Sequence, residues 1–261
     1  MLLAVDVGNT QTHLGAFDGE RYLGSWRFQT RAGMTGDELA ERISAFMRLS
    51  DIEFGGFETV IVSSVVPPLG DQYEQMAKRY LGAARFLEIG PGIRTGMPIR
   101  IDNPYEAGAD RLVNAVAAYE RYRGACVVVD FGTGINFDAV SEAGEYLGGA
   151  IAPGVEISLS ALTERGARIP RIDLAEPATA IGKSTRTAIQ SGVVYGFAGL
   201  IDGIARRIAA ELGEGVPFLA TGGLAGRIAP QCEMIDAIDD HLTLTGLRLI
   251  AALNEDADAS R

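Results

Sequence analysis

Short apolar runs that end at turn-forming residues open the chain and predict three successive strands. Leu2–Val7 is an apolar run that ends in Gly8-Asn9-Thr10, the pattern of a buried strand that meets a turn. Thr12–Phe17 and Tyr22–Gln29 are predicted as the next two strands, because Asp18-Gly19 between them favours a hairpin turn.

The rest of the first half alternates between helical spacing and one buried strand. Apolar residues recur at helical spacing in Asp37–Leu49, and helices are also predicted at Tyr73–Leu81 and Glu106–Tyr122. Thr59–Ser63 is predicted as a buried strand that Pro67-Pro68 closes.

The second half restarts this pattern. Its predicted strands and helices are Ala125–Val129, Ile135–Val140, Tyr146–Ile151, Thr185–Leu212, Phe218–Ala220 and Leu242–Leu253. The same pattern occurs in both halves, in Leu3–Thr10 and in Val127–Thr133: a strand leads to an aspartate, and after one further residue a glycine begins a turn. The two aspartates lie 124 positions apart in a chain of 261 residues.

This internal repeat predicts a duplicated α/β unit, with domains at residues 1–118 and 119–261. Side by side, the two units are expected to face their aspartate-bearing turns across a cleft. The alternative is that two Asp-Gly hairpins merely look alike.

Composition narrows the function classes. The chain has 34 acidic and 23 basic residues and no run of Lys or Arg, so no nucleic-acid partner is expected. Two distant cysteines and two histidines predict neither disulfides nor a metal cage, which indicates a reducing compartment. No signal peptide and no membrane-spanning stretch are expected, and the predicted location is the cytoplasm.

Two turns have the chemistry of a phosphate site. In Asp6–Thr10, a glycine-permitted turn can direct backbone N–H groups and the Thr10 hydroxyl at phosphate oxygens, while Asp6 holds a hydrated Mg²⁺. Asp130–Gly134 repeats this arrangement with a second carboxylate, as phosphoryl transfer requires. Thr221-Gly222-Gly223 is a third small-residue turn, suited to lie against an adenosine. The alternative for the first turn is a hairpin in which Asp6 and Asn9 only satisfy the turn.

Other nucleotide folds are excluded by the motifs that the sequence lacks. It has no Walker A motif, no protein-kinase HRD and DFG pair, and no GxGxxG after a strand.

The start of the predicted third helix contains a candidate base. Asp110 and Asn114 lie four residues apart and share a helix face, and Arg111 beside them suits a carboxylate or phosphate. Asp110 can then accept the proton of a substrate hydroxyl, unless it only interacts with the helix dipole. Lys183 and Arg186 are predicted to be a solvated helix start.

Taken together, these motifs resemble the type III pantothenate kinases, of the acetate and sugar kinase, actin-like superfamily. The resemblance runs nearly end to end. The motifs that carry it are Asp6–Thr10, Ser63-Ser64-Val65-Val66-Pro67, Asp102-Asn103-Pro104, Gly108–Arg111, Asp130–Thr133, Gly148–Gly154, Gly182–Thr185 and Thr221-Gly222-Gly223.

The resemblance implies an α/β fold of two duplicated ribonuclease H-like domains, with mixed sheets flanked by helices, in a homodimer. It implies that the chain phosphorylates pantothenate with ATP and Mg²⁺, with Asp110 as the general base and potassium or ammonium at Asp130. The implied ATP-binding residues are Asp6, Val7, Gly8, Asn9, Thr10, Gln11, Thr12, His13 and Thr133. The implied pantothenate-binding residues are Gly108, Ala109, Asp110, Arg111 and the partner subunit's Thr185.

Two positions depart from the family pattern. Gly134-Ile135-Asn136 replaces the usual Ala-Thr-Thr, and Ile101 stands where a tyrosine is common. Tyr105 is a hypothetical substitute for that phenol, the alternative being a surface turn residue. The competing functions are a non-catalytic or regulatory relative and a kinase for another small hydroxylated metabolite.

Overall fold

The computed structural model describes residues 1–82, 84–165 and 172–259, and the chain divides into two compact units. The first consists of Met1–Met97, Tyr105–Ala117 and Thr243–Arg261. The second consists of Pro98–Pro104 and Ala118–Leu242.

The first unit is built on a five-stranded mixed sheet. Its strands are β1 (Leu2–Val7), β2 (Gln11–Asp18), β3 (Arg21–Gln29), β4 (Thr59–Ser64) and β5 (Arg85–Glu88). Their order is β3-β2-β1-β4-β5, so β1 is the central strand, antiparallel to β2 and parallel to β4.

The second unit repeats this topology. Its strands are β6 (Cys126–Phe131), β7 (Gly134–Val140), β8 (Tyr146–Pro153), β9 (Phe218–Thr221) and β10 (Ala237–Ile238). The central strand β6 lies between antiparallel β7 and parallel β9, as β1 does between β2 and β4. The predicted fold class, an α/β fold with two mixed sheets and flanking helices, is confirmed.

Helices cover the sheets. They are α1 (Gly36–Leu49), α2 (Pro67–Tyr80), α3 (Ala109–Tyr122), α4 (Val155–Arg165), α5 (Thr185–Leu212), α6 (Ala225–Ile228) and α7 (Leu242–Ala259). Successive strand residues point to opposite faces. On one face of β1, Leu3, Val5 and Val7 therefore pack against α1 and α2. On the other face, Ala4 packs against Val113 of α3 and against α7.

Local patterns located most elements within one or two residues. The two largest differences are in α2, which begins at Pro67 and not at Tyr73 because proline is tolerated in the first helical turn, and in α7, which ends at Ala259 and not at Leu253. A 3-10 turn, Pro104–Glu106, precedes α3, which begins at Ala109. β5, α4, α6 and β10 were not predicted from the sequence.

The C-terminal helix belongs to the first compact unit. The predicted division after residue 118 remains a prediction about domains. The compact units change at Ala118, but Pro98–Pro104 belongs to the second unit and Thr243–Arg261 to the first. Leu244, Leu247 and Ile250 of α7 are buried in one apolar cluster with Ala4 and Ile61 of the first sheet.

Helix α5 is long and apolar enough to cross a membrane by length and composition alone, contrary to the expectation that no stretch would be. One third of its most apolar window is buried. Val194, Ile201 and Ala205 of this helix pack with β6 residues in the core of the second unit. A core helix passes the same length and composition test, so α5 is weak evidence for a membrane span.

Candidate phosphate and substrate sites

Asp6 is the fifth of the six residues of the central strand β1. It lies opposite His13 of β2 and Ser63 of β4. Paired residues on neighbouring strands share a face of the sheet, so the carboxylate stands between an imidazole and a hydroxyl. Ser63 has no exposed surface, and among the described residues its Oγ has no hydrogen-bond partner.

The turn after β1 is tightly closed. The Gly8 N–H donates to the Gln11 carbonyl at 3.1 Å, which leaves Asn9 and Thr10 exposed at the tip. A β-carbon built on Gly8 would stand 2.9 Å from that carbonyl oxygen, so a side chain here would open the turn. The exposed tip is where a phosphate-binding turn presents its N–H and hydroxyl groups.

Hydrogen bonds of Thr30 connect this turn to the end of β3. The Thr30 N–H donates to the Thr10 carbonyl at 2.9 Å, and the hydroxyls of Thr30 and Thr12 lie 2.9 Å apart. Burial raises the pKa of the nearby Tyr73 phenol, and the Asp6 carboxylate adds to the rise, although Thr12 and Arg42 oppose it. Tyr73 is therefore neutral at physiological pH.

Asp110 is the second residue of α3. Its Oδ1 accepts a hydrogen bond from the Arg111 N–H at 2.9 Å, and a β-carbon on Gly108 would stand 2.8 Å from the same oxygen. Gly108 thus leaves room for the carboxylate to fold over the helix start. Asp110 and Arg111 are both half-buried.

Helix α3 packs on the face of the first sheet that holds Asp6. Val113 belongs to the apolar cluster that contains Ala4, and Ala4 and Asp6 are alternate residues of β1. Asn114, four residues after Asp110, is buried and accepts a hydrogen bond from the Thr243 hydroxyl of α7 at 2.7 Å. The first sheet and α7 therefore fix the position of α3.

Asp130 occupies the position in β6 that Asp6 occupies in β1, the fifth of six residues. It lies opposite Asn136 of β7 and Thr221 of β9. Gly222 has a φ of +94°, and a β-carbon on it would stand 2.4 Å from Oδ1 of Asp130. The turn after β9 therefore lies directly against the carboxylate.

The turn after β6 is held from a second side. The Gly132 N–H donates to the Gly134 carbonyl at 3.0 Å, which closes the turn around Thr133. A β-carbon on Gly154, just before α4, would stand 2.1 Å from the Thr133 carbonyl oxygen. The backbone at 154 thus packs on the turn, a contact that the sequence analysis did not assign.

Thr185 is the first residue of α5 and is exposed. Ser184 caps the helix, since its side chain accepts a hydrogen bond from the Thr187 N–H. Lys183 and Arg186 are exposed around this start, as the sequence analysis predicted.

The candidate residues are divided between the units. Asp6–His13 and Gly108–Arg111 belong to the first unit, and Asp130, Thr133 and Thr185 to the second. Tyr105, the hypothetical substitute phenol, is 85% exposed in the turn before α3.

Ser63 and Thr221 were named in sequence motifs, but their place beside the two central-strand aspartates was not predicted. Ser63 is the next-to-last residue of β4 and Thr221 is the last of β9, and pattern alone does not pair these strands with β1 and β6. The available signal was a hydroxyl residue near the end of a buried strand in each half.

The Asp6 turn has the chemistry of a site for Mg²⁺, the divalent ion that accompanies ATP in kinases. In the part of the chain that the structure describes, no group of three or more His, Cys, Asp or Glu side chains could hold a metal ion. Mg²⁺ needs no such cage, because it keeps several waters and binds one or two carboxylates together with substrate phosphates. The buried Ser63 hydroxyl lies beside Asp6, and such a neighbour suits an ion-binding carboxylate.

Comparisons with known proteins agree over nearly the whole chain. A family model described as type III pantothenate kinase matches residues 2–207. A type III pantothenate kinase from Myxococcus xanthus is 49% identical over 97% of this chain and 99% of that protein. Another, from Geobacter sulfurreducens, is 47% identical over 98% of this chain and 100% of that protein.

Among solved structures, an inorganic polyphosphate/ATP-glucomannokinase from Arthrobacter sp. strain KM has a similar fold. Its TM-score is 0.51 at 17% identity, over 97% of this chain and 98% of that one. At this identity the likeness shows a shared fold only. The family model and the relatives at 47–49% identity show membership of the family. The chain belongs to the type III pantothenate kinase family.

Proposed function

We propose that this protein transfers the γ-phosphate of ATP to the primary hydroxyl of pantothenate, the first step towards coenzyme A. The observation that carries the proposal is the repeated site: each sheet places an aspartate at the fifth position of its central strand, followed by a glycine turn. Phosphoryl transfer depends mainly on positioning and charge neutralisation, which such turns supply. The family identifies pantothenate as the acceptor.

In this proposal the ATP phosphates contact the first turn, Asp6–His13, and Thr133 of the second. The tip residues Asn9 and Thr10 are exposed and available to phosphate oxygens. Mg²⁺ would be held at Asp6 through water and would neutralise charge on the phosphates. The hydrogen bond between the Thr12 and Thr30 hydroxyls helps to keep the turn in place.

Pantothenate is assigned to Gly108–Arg111, with Asp110 as the general base. The half-buried Asp110 carboxylate accepts the proton of the attacking hydroxyl, which raises the nucleophilicity of the oxygen. The guanidinium of Arg111, also half-buried, suits the pantothenate carboxylate. Helix α7 and the first sheet hold α3, which carries these residues, in place.

A monovalent cation, potassium or ammonium, is assigned to Asp130. The turn at Gly222 packs against Oδ1 of Asp130 and leaves no room there for a side chain. In this proposal the Asp130 carboxylate is the anionic group that holds the ion.

We also infer a homodimer formed through α4 and α5. One side of α5 is buried in the core of the second unit, while Gly192 and Gly196 on another side are exposed, with open space where a β-carbon would stand. Between the two helices lies a groove of about 530 Å³, with Leu162 and Phe197 in its lining. A second copy would cover this apolar surface and supply the partner subunit's Thr185 to the pantothenate site.

The proposed location is the cytoplasm, where ATP is available. Cys126 and Cys232 are free, and burial raises the pKa of each thiol to about 12, so both stay protonated. Two unreactive free thiols are consistent with a reducing compartment.

The test is a coupled ADP-release assay of the purified full chain with a panel of acceptors. Pantothenate should give ADP, and glycerol, glucose, acetate and no acceptor should not. ADP release that is faster with a sugar or with acetate than with pantothenate would contradict the assigned acceptor, and no release with any acceptor would contradict the kinase.

A further inference from the structure

Ser63 is a buried hydroxyl that the fold itself does not use. It has no exposed surface, and its Oγ makes no hydrogen bond to any residue that the structure describes. Burial of a hydroxyl without a partner destabilises a protein, and alanine would fill nearly the same space without that cost. An unused buried hydroxyl therefore indicates a role that appears only when a ligand is bound.

The register of the sheet places this hydroxyl beside the candidate metal-binding carboxylate. Ser63 of β4 pairs with Asp6 of β1 in the parallel ladder. Neighbouring strands lie about 4.8 Å apart and paired residues share a face. At that spacing, the serine and aspartate side chains together are long enough for Oγ to reach a carboxylate oxygen.

The second unit contains the same pairing. Thr221 of β9 lies opposite Asp130 of β6, in the parallel ladder that corresponds to β4 and β1. Thr221 is 2% exposed. A buried hydroxyl residue thus stands beside the central-strand aspartate in both repeats, although the residues that follow, Ser64 and Gly222, differ.

We propose that Ser63 is a positioning residue for Asp6. In the nucleotide complex its hydroxyl donates a hydrogen bond to one Asp6 oxygen, which fixes the other oxygen towards the hydrated Mg²⁺. This inference rests on the proposed function, in which Asp6 holds that ion through water. Hydrogen bonds of this kind often tighten only when substrate binds, and partners of metal-binding carboxylates orient them.

The test is the Mg²⁺ dependence of ADP binding, measured by calorimetry on the full chain. Ser63→Ala should raise the Mg²⁺ concentration for half-maximal ADP binding about tenfold, the lower range for loss of such a partner. Its melting temperature should stay the same or rise, because the variant removes an unpaired buried hydroxyl. Ser63→Thr, which keeps the hydroxyl, should bind MgADP as the wild type does.

Ser64→Ala is the matched control. The Ser64 hydroxyl accepts a hydrogen bond from the Val66 N–H at 3.1 Å and donates to the Val66 carbonyl at 3.0 Å. Its loss should lower the melting temperature and leave the Mg²⁺ requirement unchanged. An equal Mg²⁺ shift in Ser64→Ala would show a general disturbance of β4 and overturn the proposal.

A double variant separates this inference from the proposed function. If Ser63 acts through Asp6, Ser63→Ala adds no further Mg²⁺ shift to Asp6→Asn, and additive shifts would contradict that route. A wild-type Mg²⁺ requirement in Ser63→Ala, in a chain that phosphorylates pantothenate, overturns the positioning role alone. A wild type that neither binds MgADP nor phosphorylates pantothenate overturns both.

Discussion

Gly222 and Asp130 stand so close in the second unit that a β-carbon on the glycine would lie 2.4 Å from the carboxylate Oδ1. The glycine also has a φ of +94°, which side chains rarely adopt. Both the space and the backbone conformation therefore require glycine beside the proposed cation site.

This contact predicts a severe effect of Gly222→Ala. The added methyl group must displace the Asp130 carboxylate, and the left-handed backbone adds a strain of about 1–2 kcal/mol. We expect a lower melting temperature and a higher potassium concentration for half-maximal activity. Gly226→Ala is the control, because that glycine lies in α6 with open space around it. Equal behaviour of the two variants would refute the role of the contact.

Asp110→Asn should separate catalysis from binding. Asparagine keeps the size of the side chain but cannot take a proton, so kcat should fall about 10²–10⁴-fold while KM for ATP changes little. Steady-state kinetics with pantothenate and ATP give both constants. Glu120→Gln, the same change at an exposed position of α3, should leave them unaltered. Turnover of Asp110→Asn near the wild-type rate would show that another group is the base.

The cation assigned to Asp130 predicts a salt dependence. Activity should collapse when potassium or ammonium is replaced by sodium at constant Mg²⁺ and ionic strength. Asp130→Ala should abolish the difference between the salts, because the variant lacks the carboxylate that holds the ion. Rates measured in the three chloride salts decide the matter, and equal wild-type rates in all three would exclude the cation from the site.

If the groove between α4 and α5 is the dimer interface, a charged side chain introduced there should dissociate the dimer. Gly196→Glu puts a carboxylate on the proposed interface, where burial of an unpaired charge is costly. Light scattering should report a dimer for the wild type and a monomer for this variant, with a higher KM for pantothenate. Ala210→Glu, at an exposed position of α5 outside the groove, should remain dimeric. A fully active wild-type monomer would contradict both the interface and the role of Thr185.

The capping box of α1 predicts a pH dependence of stability. Hydrogen bonds from the Thr35 backbone and side chain lower the pKa of Glu38 below its usual 4.5. The folded state therefore favours the ionised form, and the stabilisation is complete above about pH 4.5 and lost as pH falls through the folded-state pKa. The difference in melting temperature between wild type and Glu38→Ala should thus shrink in acid.

Two further variants check this cap. Thr35→Ala removes the capping side chain and should cost about 0.5–2 kcal/mol at neutral pH. Glu41→Ala, an exposed glutamate of the same helix, should show little change. A Glu38→Ala difference that stays constant from neutral to acid pH would contradict the role of the Glu38 charge.

The sequence by itself determined the repeated units and the turns with the proposed chemistry. Leu2–Val7 and Thr185–Leu212 were located without error. The first is set by a buried apolar run that ends at a glycine turn, and the second by a long run of helix-compatible residues. Asp6 and Asp130 could be singled out because a strand, an aspartate and a glycine turn are consecutive in the chain.

Only the tertiary structure decided which residues become neighbours. Ser63 lies beside Asp6, and Thr221 with Gly222 beside Asp130, because parallel strands pair over long stretches of chain that no local period encodes. For the same reason α7 joined the first unit: its apolar face is buried against the first sheet, about two hundred residues earlier in the sequence. Strands and turns follow from nearby residues, but the register of a parallel ladder is fixed by the packing of the whole sheet.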